Sequence, residues 1–294
     1  MIDGVLLLNK PVGLTSNTAL QKAKRLLNAQ KAGHTGTLDP FADGLLPLCY
    51  GEATKFSHYL LDADKTYRAV MQLGIATTTG DPEGDITQSR PVTVSCDDVR
   101  VALANFRGEI EQIPPMHSAL KHQGRPLYEY ARAGIAIDRP PRRITIHSLD
   151  LIDCSLPQIS FSVRCSSGTY IRTLAQDIGA TLGCGAHLIA LTRTESGAFR
   201  LEDAYTLERL ETITPEERIG LLLPSDCLVM HLPEIHLDNP DRMALCQGRS
   251  FKSEFSAAPL VRVYASEHFF LGLAEVDTEG RVVSKRLINT SSQT

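Results

Sequence analysis

The stretch Gly33-His34-Thr35-Gly36-Thr37-Leu38-Asp39-Pro40 places one carboxylate on a turn-forming segment, five residues after a histidine. Glycine lets a backbone pass close to another molecule, and Pro40 fixes the backbone just after the acid. An acid held on such a loop is presented to something outside the loop. A loop Asp before Pro can also simply accept bonds from nearby backbone N–H groups and make a turn. The rest of the chain has to decide between these two readings.

Length and composition indicate a globular protein. The chain has 294 residues, of which 43% are hydrophobic and 22% charged, enough for one large domain or two smaller ones. No apolar run approaches the ~20 residues that span a bilayer. The start, Met1-Ile2-Asp3-Gly4, carries an acid and lacks the basic region of a secretory signal. We therefore expect a cytoplasmic protein that does not bind to or span a membrane.

The cysteines give no sign of a disulfide framework. There are seven, an odd number, scattered along the chain without a C-x-x-C pair. We expect reduced, mostly buried thiols, with neither disulfides nor a zinc site. Cys184 and His187 come closest to metal-ligand spacing, but no partners accompany them.

The net charge of −4 hides a strong segregation of charge. From Lys10 to Gly33 there are five basic residues and no acid, and from Met116 to Ile146 there are six against two acids. From Leu201 to Asp241 there are ten acids against two arginines. Separation on this scale predicts a basic face of the kind that binds phosphate backbones.

Hydrophobic periodicity predicts a mixed body followed by a small β domain. Strands are expected at 4–8, 66–73, 143–152 and 158–165, and helices at 16–30, 96–106, 127–132, 169–182 and 206–222. Thr15 or Ser16 is the expected N-cap of the first helix, and Ser95 with Asp98 that of the second. The segment from Gly74 to Arg90 is rich in Thr, Gly, Asp and Pro and reads as a surface loop.

The character of the sequence changes after Asp226. Short β segments follow at about 233–237, 260–264, 269–276 and 281–288, separated by Gly, Pro and Asp. We therefore predict a catalytic domain over residues 1–228, with an irregular basic insertion at about 114–142, and a second domain over residues 229–294.

Several separate motifs resemble one family. GHTGTLDPFADGLLP, the Lys65-Thr66-Tyr67 strand start, PPMHSALKHQGRPLYEYAR, SSGTYIRTLAQDIG and LGCGAH with the following Leu191 are similar to bacterial tRNA pseudouridine synthases of the TruB type. The resemblance implies an α+β fold: a mixed, mostly antiparallel sheet with flanking helices and an RNA-clamping insertion. It also implies a small β-rich C-terminal domain similar to the RNA-binding PUA type. The implied substrate is tRNA, at the uridine in position 55 of the T loop.

The residues suit that chemistry. Isomerising uridine breaks N1–C1′, turns the uracil and joins C5 to C1′, so reactant and product have the same formula and no redox cofactor is needed. The chain accordingly shows no dinucleotide fingerprint and no phosphate-binding GKS loop. We expect no cofactor and no metal. A carboxylate can act as a covalent catalyst, and Asp39 matches the family's nucleophile. Whether it attacks C1′, adds to the base or abstracts a proton stays open.

The resemblance assigns further roles by position. Arg172 matches the arginine beside the acid, whose planar fork suits one carboxylate better than lysine would. Tyr67 and Tyr170 match residues that flank the extruded base, where aromatic faces replace lost stacking, and we expect the Tyr67 hydroxyl to take part in the chemistry. The remaining matches are Leu191 for an apolar wall, His34 for the space that the flipped nucleotide leaves, and Lys10 for pocket support or a phosphate contact.

One departure concerns Thr192-Arg193, which stands where the family commonly has two arginines. We expect one phosphate or packing contact to be missing there, outside the catalytic set.

Other readings remain. A hydrolase using Asp39 and His34 with water or a metal would need further ligands or a Ser/Cys nucleophile elbow, and the sequence offers neither. A noncatalytic tRNA-binding or folding protein would be expected to lose Asp39 or Arg172. A synthase for another RNA, including a guide-directed one, is the third alternative. Since the chain has no long basic extensions, we expect a stand-alone enzyme rather than a guide-directed one. We also expect a monomer that needs no protein partner.

Overall fold

A computed structural model describes residues 2–265 and 269–289. The predicted C-terminal domain therefore includes two short parts, 266–268 and 290–294, that lie outside the described residues.

The described strands are β1 Gly4–Lys10, β2 Ala32–His34, β3 Asp43–Tyr50, β4 Lys65–Leu73, β5 Ile75–Thr77, β6 Ile86–Ser89, β7 Gly108–Gln112, β8 Lys121–His122, β9 Arg125–Pro126, β10 Arg142–Ser155, β11 Gln158–Cys165, β12 Ala186–Ser196, β13 Phe199–Arg200, β14 Glu234–Leu237, β15 Phe251–Lys252, β16 Ala258–Ala265, β17 Phe270–Val276 and β18 Arg281–Leu287. The α-helices are α1 Ser16–Leu26, α2 Ser57–Leu61, α3 Cys96–Ala104, α4 Leu127–Arg132, α5 Ile171–Thr181, α6 Leu207–Thr212, α7 Pro215–Gly220 and α8 Asn239–Cys246. Short 3₁₀ helices lie at Gly51–Lys55, Leu201–Asp203 and Ser225–Leu228.

A nine-stranded sheet forms the body, in the order β1-β3-β12-β4-β11-β10-β7, with β2 added to β3 and β13 to β12. Its pairs are antiparallel except β3 with β12. This matches the predicted mostly antiparallel sheet. A five-stranded sheet, β14-β16-β17-β18-β15, follows in the C-terminal part.

The sequence pattern of each strand reflects which of its faces is covered. Tyr67, Ala69, Met71 and Leu73 of β4 face a core that α1, α3 and α5 also line, whereas the alternate residues are at least partly exposed. β1 is apolar from Val5 to Leu8 because Leu6 and Leu8 enter that core while Val5 and Leu7 enter a second one. A strand buried on both faces reads as a continuous apolar run.

The second core joins the two sheets. Phe56 packs edge-to-face on Phe270 with ring centroids 5.3 Å apart. Leu45 of β3 and Leu273 of β17 belong to the same buried cluster. The C-terminal sheet is thus attached to the back of β1 and β3 by shared apolar packing.

Two local predictions hold closely. Helix α3 begins with the full capping box, since the Ser95 hydroxyl accepts from the Asp98 N–H and the Asp98 carboxylate accepts from the Ser95 N–H. Helix α4 has the predicted bounds, Leu127–Arg132.

Other predictions were wrong in detail. The segment from Gly74 to Arg90 holds the hairpin β5–β6 and a fully buried Asp81. The expected helix at 206–222 is two short helices, the second restarted by a capping box at Thr214. Strand β3 was not predicted, and it contains Pro47, a residue type that central strands usually exclude. Helix α8 was missed inside the β domain, although Asp238 caps it and Pro240 lies in its first turn.

The expectation of reduced cysteines was also wrong. Cys96 and Cys154 form a disulfide, with Cα atoms 6.0 Å apart and a sequence separation of 58. Helix α3 packs against β10 and brings them together, which no local spacing could reveal. The other five cysteines are free.

Candidate active site

The loop that carries Asp39 connects β2 to β3 and is held by the start of α1. Thr15 is the N-cap of that helix, because its hydroxyl accepts from the Thr18 N–H at 3.0 Å. Ser16, the other predicted cap, is instead buried against the loop: its hydroxyl accepts from the Leu38 N–H at 2.8 Å and donates to the Leu38 carbonyl at 3.0 Å. The residue before Asp39 is therefore fixed through both backbone groups.

Arg172 lies beside Asp39 at the first turn of α5. Its Nε is 2.9 Å from Asp39 Oδ2 and its Nη2 donates to Asp39 Oδ1 at 3.2 Å. Two parallel bonds of this kind orient a carboxylate as well as binding it. The Arg172 side chain is 4% exposed and that of Asp39 is 32% exposed, so the acid is the member of the pair that remains accessible.

Asp81 holds Arg172 from the buried side, and the sequence analysis did not identify it. Its Oδ2 accepts from Arg172 Nη1 at 3.1 Å, and its side chain is 3% exposed. Arg172 also donates to the carbonyls of Thr79 at 3.1 Å and His117 at 2.8 Å. One guanidinium therefore connects the Asp39 loop, the β5–β6 hairpin and the basic insertion.

The electrostatics of the pair leave Asp39 harder to ionise than a free aspartate. Burial raises the pKa of Asp39, Arg172 opposes that rise, and the negative charge of Asp81 adds to it. The arginine reduces the penalty of burial without cancelling it.

Lys10 is fully buried and supports the site from behind. Its Nζ donates to the carbonyls of Pro11 at 2.9 Å and Leu14 at 2.7 Å. Burial lowers its pKa to about 8, against the opposing charges of Asp43 and Asp39. Of its two expected roles, pocket support fits this placement and a phosphate contact does not.

Tyr67 and Leu191 lie on neighbouring strands. Tyr67 of β4 is 9% exposed and Leu191 of β12, paired with Ala69, is 6% exposed. Burial raises the pKa of Tyr67, and the charge of Asp39 contributes to the rise, which places the phenol within electrostatic reach of the acid.

Tyr170 is fixed through its backbone just before α5. Its N–H donates to Gln112 Oε1 at 2.7 Å, and its carbonyl accepts from Gln112 Nε2 at 3.1 Å. Gln112 is buried at the end of β7 and is a second positioning residue that the sequence analysis missed. Burial raises the pKa of Tyr170, with a further contribution from Asp39.

His34 is half-buried on β2. Among the described residues its buried Nδ1 has no hydrogen-bond partner. Burial and the charge of Arg193 lower its pKa, so the imidazole is neutral at pH 7.

Arg193 corrects one expectation, since it does contact the predicted catalytic set. It is 2% exposed on β12, and its Nε donates to the Tyr67 hydroxyl at 3.4 Å. It also donates to the carbonyls of Gly36 at 3.3 Å, Leu45 at 3.2 Å and Thr37 at 3.0 Å. The alternation of side chains in a strand could have revealed that Arg193 is buried. Leu191 and Arg193 lie two residues apart on the same face of β12, so a buried Leu191 predicts a buried Arg193.

The basic insertion folds as the hairpin β8–β9 followed by α4. Arg139 closes its base by donating to the Pro114 carbonyl at 2.9 Å. The exposed basic side chains are Lys121, Arg125, Arg132, Arg142 and Arg143. These cations lie on a segment whose His117 contacts Arg172, so positive charge adjoins the site.

Two kinds of feature are absent from residues 2–265 and 269–289. No three side chains of His, Cys, Asp or Glu come together to hold a metal ion. No helix there is long and apolar enough to cross a membrane.

Known proteins match the chain over nearly its whole length. A model of the N-terminal domain of TruB family pseudouridylate synthases matches residues 24–171. Models of the tRNA pseudouridylate synthase B C-terminal domain and of the pseudouridine synthase II TruB C-terminal region match residues 172–229 and 233–288.

Curated relatives are similar throughout. A tRNA pseudouridine synthase B of Thiobacillus denitrificans is 64% identical, over 98% of this chain and 97% of the relative. One of Aromatoleum aromaticum is 57% identical, over 99% and 94%.

Among solved structures, a chain of a Cbf5-Nop10-Gar1 complex superposes with a TM-score of 0.73 at 27% identity, covering 98% of this chain and 84% of the other. The match confirms the predicted fold class, a pseudouridine synthase fold with an N-terminal catalytic domain and a C-terminal domain. The chain belongs to the TruB family of pseudouridylate synthases.

Proposed function

We propose that this enzyme converts uridine 55 in the T loop of tRNA to pseudouridine. The observation that carries the proposal is the Asp39–Arg172 pair, in which a 32% exposed carboxylate is held by a guanidinium that is 4% exposed. The tRNA substrate is supported by the names of the relatives, and the T loop by the motifs around Asp39.

Each site residue has a part in the reaction. The target uridine leaves its stack and enters the space between Asp39 and Tyr67, with Tyr170 and Leu191 as further walls. Asp39 supplies the carboxylate that assists cleavage of N1–C1′. As C5 joins C1′, the C5 proton leaves and N1 gains one, and the Tyr67 hydroxyl is placed to manage the C5 proton or its water. His34 fills the vacated stack in its neutral form.

The RNA arm is held by charge. The exposed cations of the basic insertion bind phosphates of the T arm. We further propose that residues 229–294 form a second RNA-binding domain of PUA type, which the separate five-stranded sheet supports. We propose that the enzyme works in the cytoplasm as a monomer without a protein partner.

The experiment is tritium release from a T-arm hairpin that carries [5-³H]uridine only at position 55, followed by mapping of the product. We expect stoichiometric release and pseudouridine at that position. A matched hairpin with cytidine at 55 and labelled uridine beside it controls for position. No release from the first hairpin, together with release from another RNA, would support the alternative of a different RNA target. Tight binding without release from any RNA would support the noncatalytic alternative.

A further inference from the structure

Two buried arginines contact residues of the candidate active site, and they bind different kinds of chemical group. Arg172 pairs with the carboxylates of Asp39 and Asp81. Within the described part of the chain, Arg193 pairs with no carboxylate and donates only to three carbonyls and one phenol. A guanidinium remains charged in proteins, so this cation is stabilised only by three main-chain carbonyls and by the side chain of Tyr67, whose ring centroid lies 5.6 Å from the guanidinium carbon. Such an arrangement is costly to bury, which calls for a reason beyond packing.

The backbone places Arg193 between β4, which carries Tyr67, and β3, the strand that follows the Asp39 loop. In β12 it pairs with Tyr67 of β4 on one side and with Gly44 of β3 on the other. Gly44 has a φ of +100°, and a Cβ there would lie 2.4 Å from the Arg193 carbonyl oxygen. The close approach of β12 to β3 therefore requires glycine at this position.

The side chain then reaches the loop of Asp39. The carbonyls of Gly36 and Thr37 accept from Nη1 and Nη2, three and two residues before the acid. Gly36 has a φ of +138°, a conformation that other residues rarely adopt. The rigid planar fork of arginine can bind these acceptors together.

We propose that Arg193 is a positioning residue, which fixes the Gly36–Thr37 backbone and the Tyr67 hydroxyl in one geometry and so sets the distance between Asp39 and the phenol. The inference rests on the proposed roles of Asp39 and Tyr67. A misplacement of about 1 Å in a catalytic group can cost on the order of 100-fold in rate. Loss of the Arg193 contacts should therefore lower the rate of the chemical step.

The test uses Arg193→Lys, which keeps the charge but not the fork, and Arg193→Gln, which keeps a donor without the charge. The single-turnover rate is measured with a T-arm hairpin at saturating enzyme, well below the melting temperature of every variant. The Kd for the hairpin is measured separately. We expect a rate roughly 10- to 100-fold lower with a Kd close to that of the wild type. Either variant is sufficient if the other does not fold.

Arg262→Lys is the matched control. Arg262 is similarly buried at 7% exposure and also donates to a carbonyl and to a tyrosine hydroxyl, those of Leu232 and Tyr264. It differs in that it pairs with the Glu234 carboxylate at 3.0 Å and lies in the C-terminal sheet. We expect Arg262→Lys to lower the melting temperature and to leave the single-turnover rate unchanged. If the Arg193 variants behave in the same way, Arg193 only stabilises the fold and the proposal fails.

A double-mutant cycle with Tyr67→Phe separates the two contacts. We expect the loss from Arg193→Lys to be smaller in the Phe background but still present, because the loop contacts remain to be lost. An equal loss in both backgrounds would remove Tyr67 from the proposal. The wild-type rate in the same assay tests the proposed substrate, and a full-length unmodified tRNA transcript replaces the hairpin if the wild type does not turn it over.

Discussion

Asp39 and Asp81 bind the same guanidinium from opposite sides: Asp39 Oδ2 lies 2.9 Å from Arg172 Nε, and Asp81 Oδ2 lies 3.1 Å from Arg172 Nη1. Two carboxylates and one arginine leave a net negative charge. Asp81 is almost completely buried, whereas Asp39 is partly open. Arg172 is therefore locked by one acid while it orients the other.

Asp39→Asn should abolish pseudouridine formation. The amide keeps the shape of the side chain but cannot act as a nucleophile or base, so we expect the rate to fall by on the order of a thousandfold or more. Affinity for a T-arm hairpin should stay near wild type. Tritium release and a binding titration measure the two effects, and turnover above the level of a mock purification would remove Asp39 from the mechanism.

The rate should also depend on pH through Asp39. Because the carboxylate must be ionised, activity falls as the pH falls through its pKa. Burial raises that pKa, so the acidic limb should lie above the ordinary aspartate value of about 3.9. Asp81→Asn removes a neighbouring negative charge and should move the limb to lower pH. Asp97→Asn, at an exposed position on α3, is the control. A limb that Asp81→Asn leaves in place would contradict the shared-arginine electrostatics.

The same shift predicts the sign of a stability effect. A carboxyl with a higher pKa in the folded state binds more protons there than in the unfolded state, so stability falls as the pH rises through that window. Asp39→Asn removes this dependence. Its melting temperature should exceed that of the wild type at neutral pH, and the difference should shrink on acidification. A variant that melts lower at neutral pH would show that the ion pair outweighs burial.

Binding of the T arm should weaken with salt despite the net charge of −4, because phosphate contacts release counterions. Arg132→Ala, at an exposed position on α4 in the basic insertion, should make the slope of log K against log salt less steep by about one. Arg209→Ala, in the acidic segment, should leave the slope unchanged. Equal slopes in the wild type and both variants would show that Arg132 of the basic insertion does not contact the RNA phosphates.

The parts of this fold that were predictable are those governed by local rules. The α3 capping box involves residues three apart, and the alternation of β4 involves residues two apart. The Gly-rich loop with Pro40 is also a local signal, but it only made Asp39 a candidate, and the separate motifs that resemble one family decided between a presented acid and a plain turn.

The unpredicted parts depend on sheet register. Asp81 and Arg172 are 91 residues apart in sequence and meet only because the β5–β6 hairpin folds back over α5. Arg193 reaches Gly36 across 157 residues, through the parallel pairing of β3 with β12. A single sequence contains no periodicity that reports such distances.

Deleting residues after about 230 should weaken tRNA binding more than it slows a saturated reaction, and it should also lower the melting temperature. The stability loss is expected because Phe56 and Leu60 share a buried cluster with Phe270 and Leu273. Phe270→Ala is the control: it should cost about 3–5 kcal/mol with RNA affinity close to wild type. A truncated protein with unchanged affinity would make the C-terminal domain dispensable for binding.

The Tyr67 hydroxyl can be tested against a second buried tyrosine. Tyr67→Phe keeps the ring but leaves the Arg193 Nε–H without its acceptor, so it should destabilise the fold by about 1–3 kcal/mol and slow catalysis while RNA binding is retained. Tyr67→Leu should lose most activity as well. Tyr50 is fully buried, but its hydroxyl has no hydrogen-bond partner among the described residues. Tyr50→Phe should therefore be neutral or stabilising and fully active. Pre-steady-state turnover beside thermal unfolding separates these effects. If Tyr67→Phe turns over at the wild-type rate while it melts lower, the hydroxyl only satisfies Arg193 and the ring is at most a stacking wall for the base.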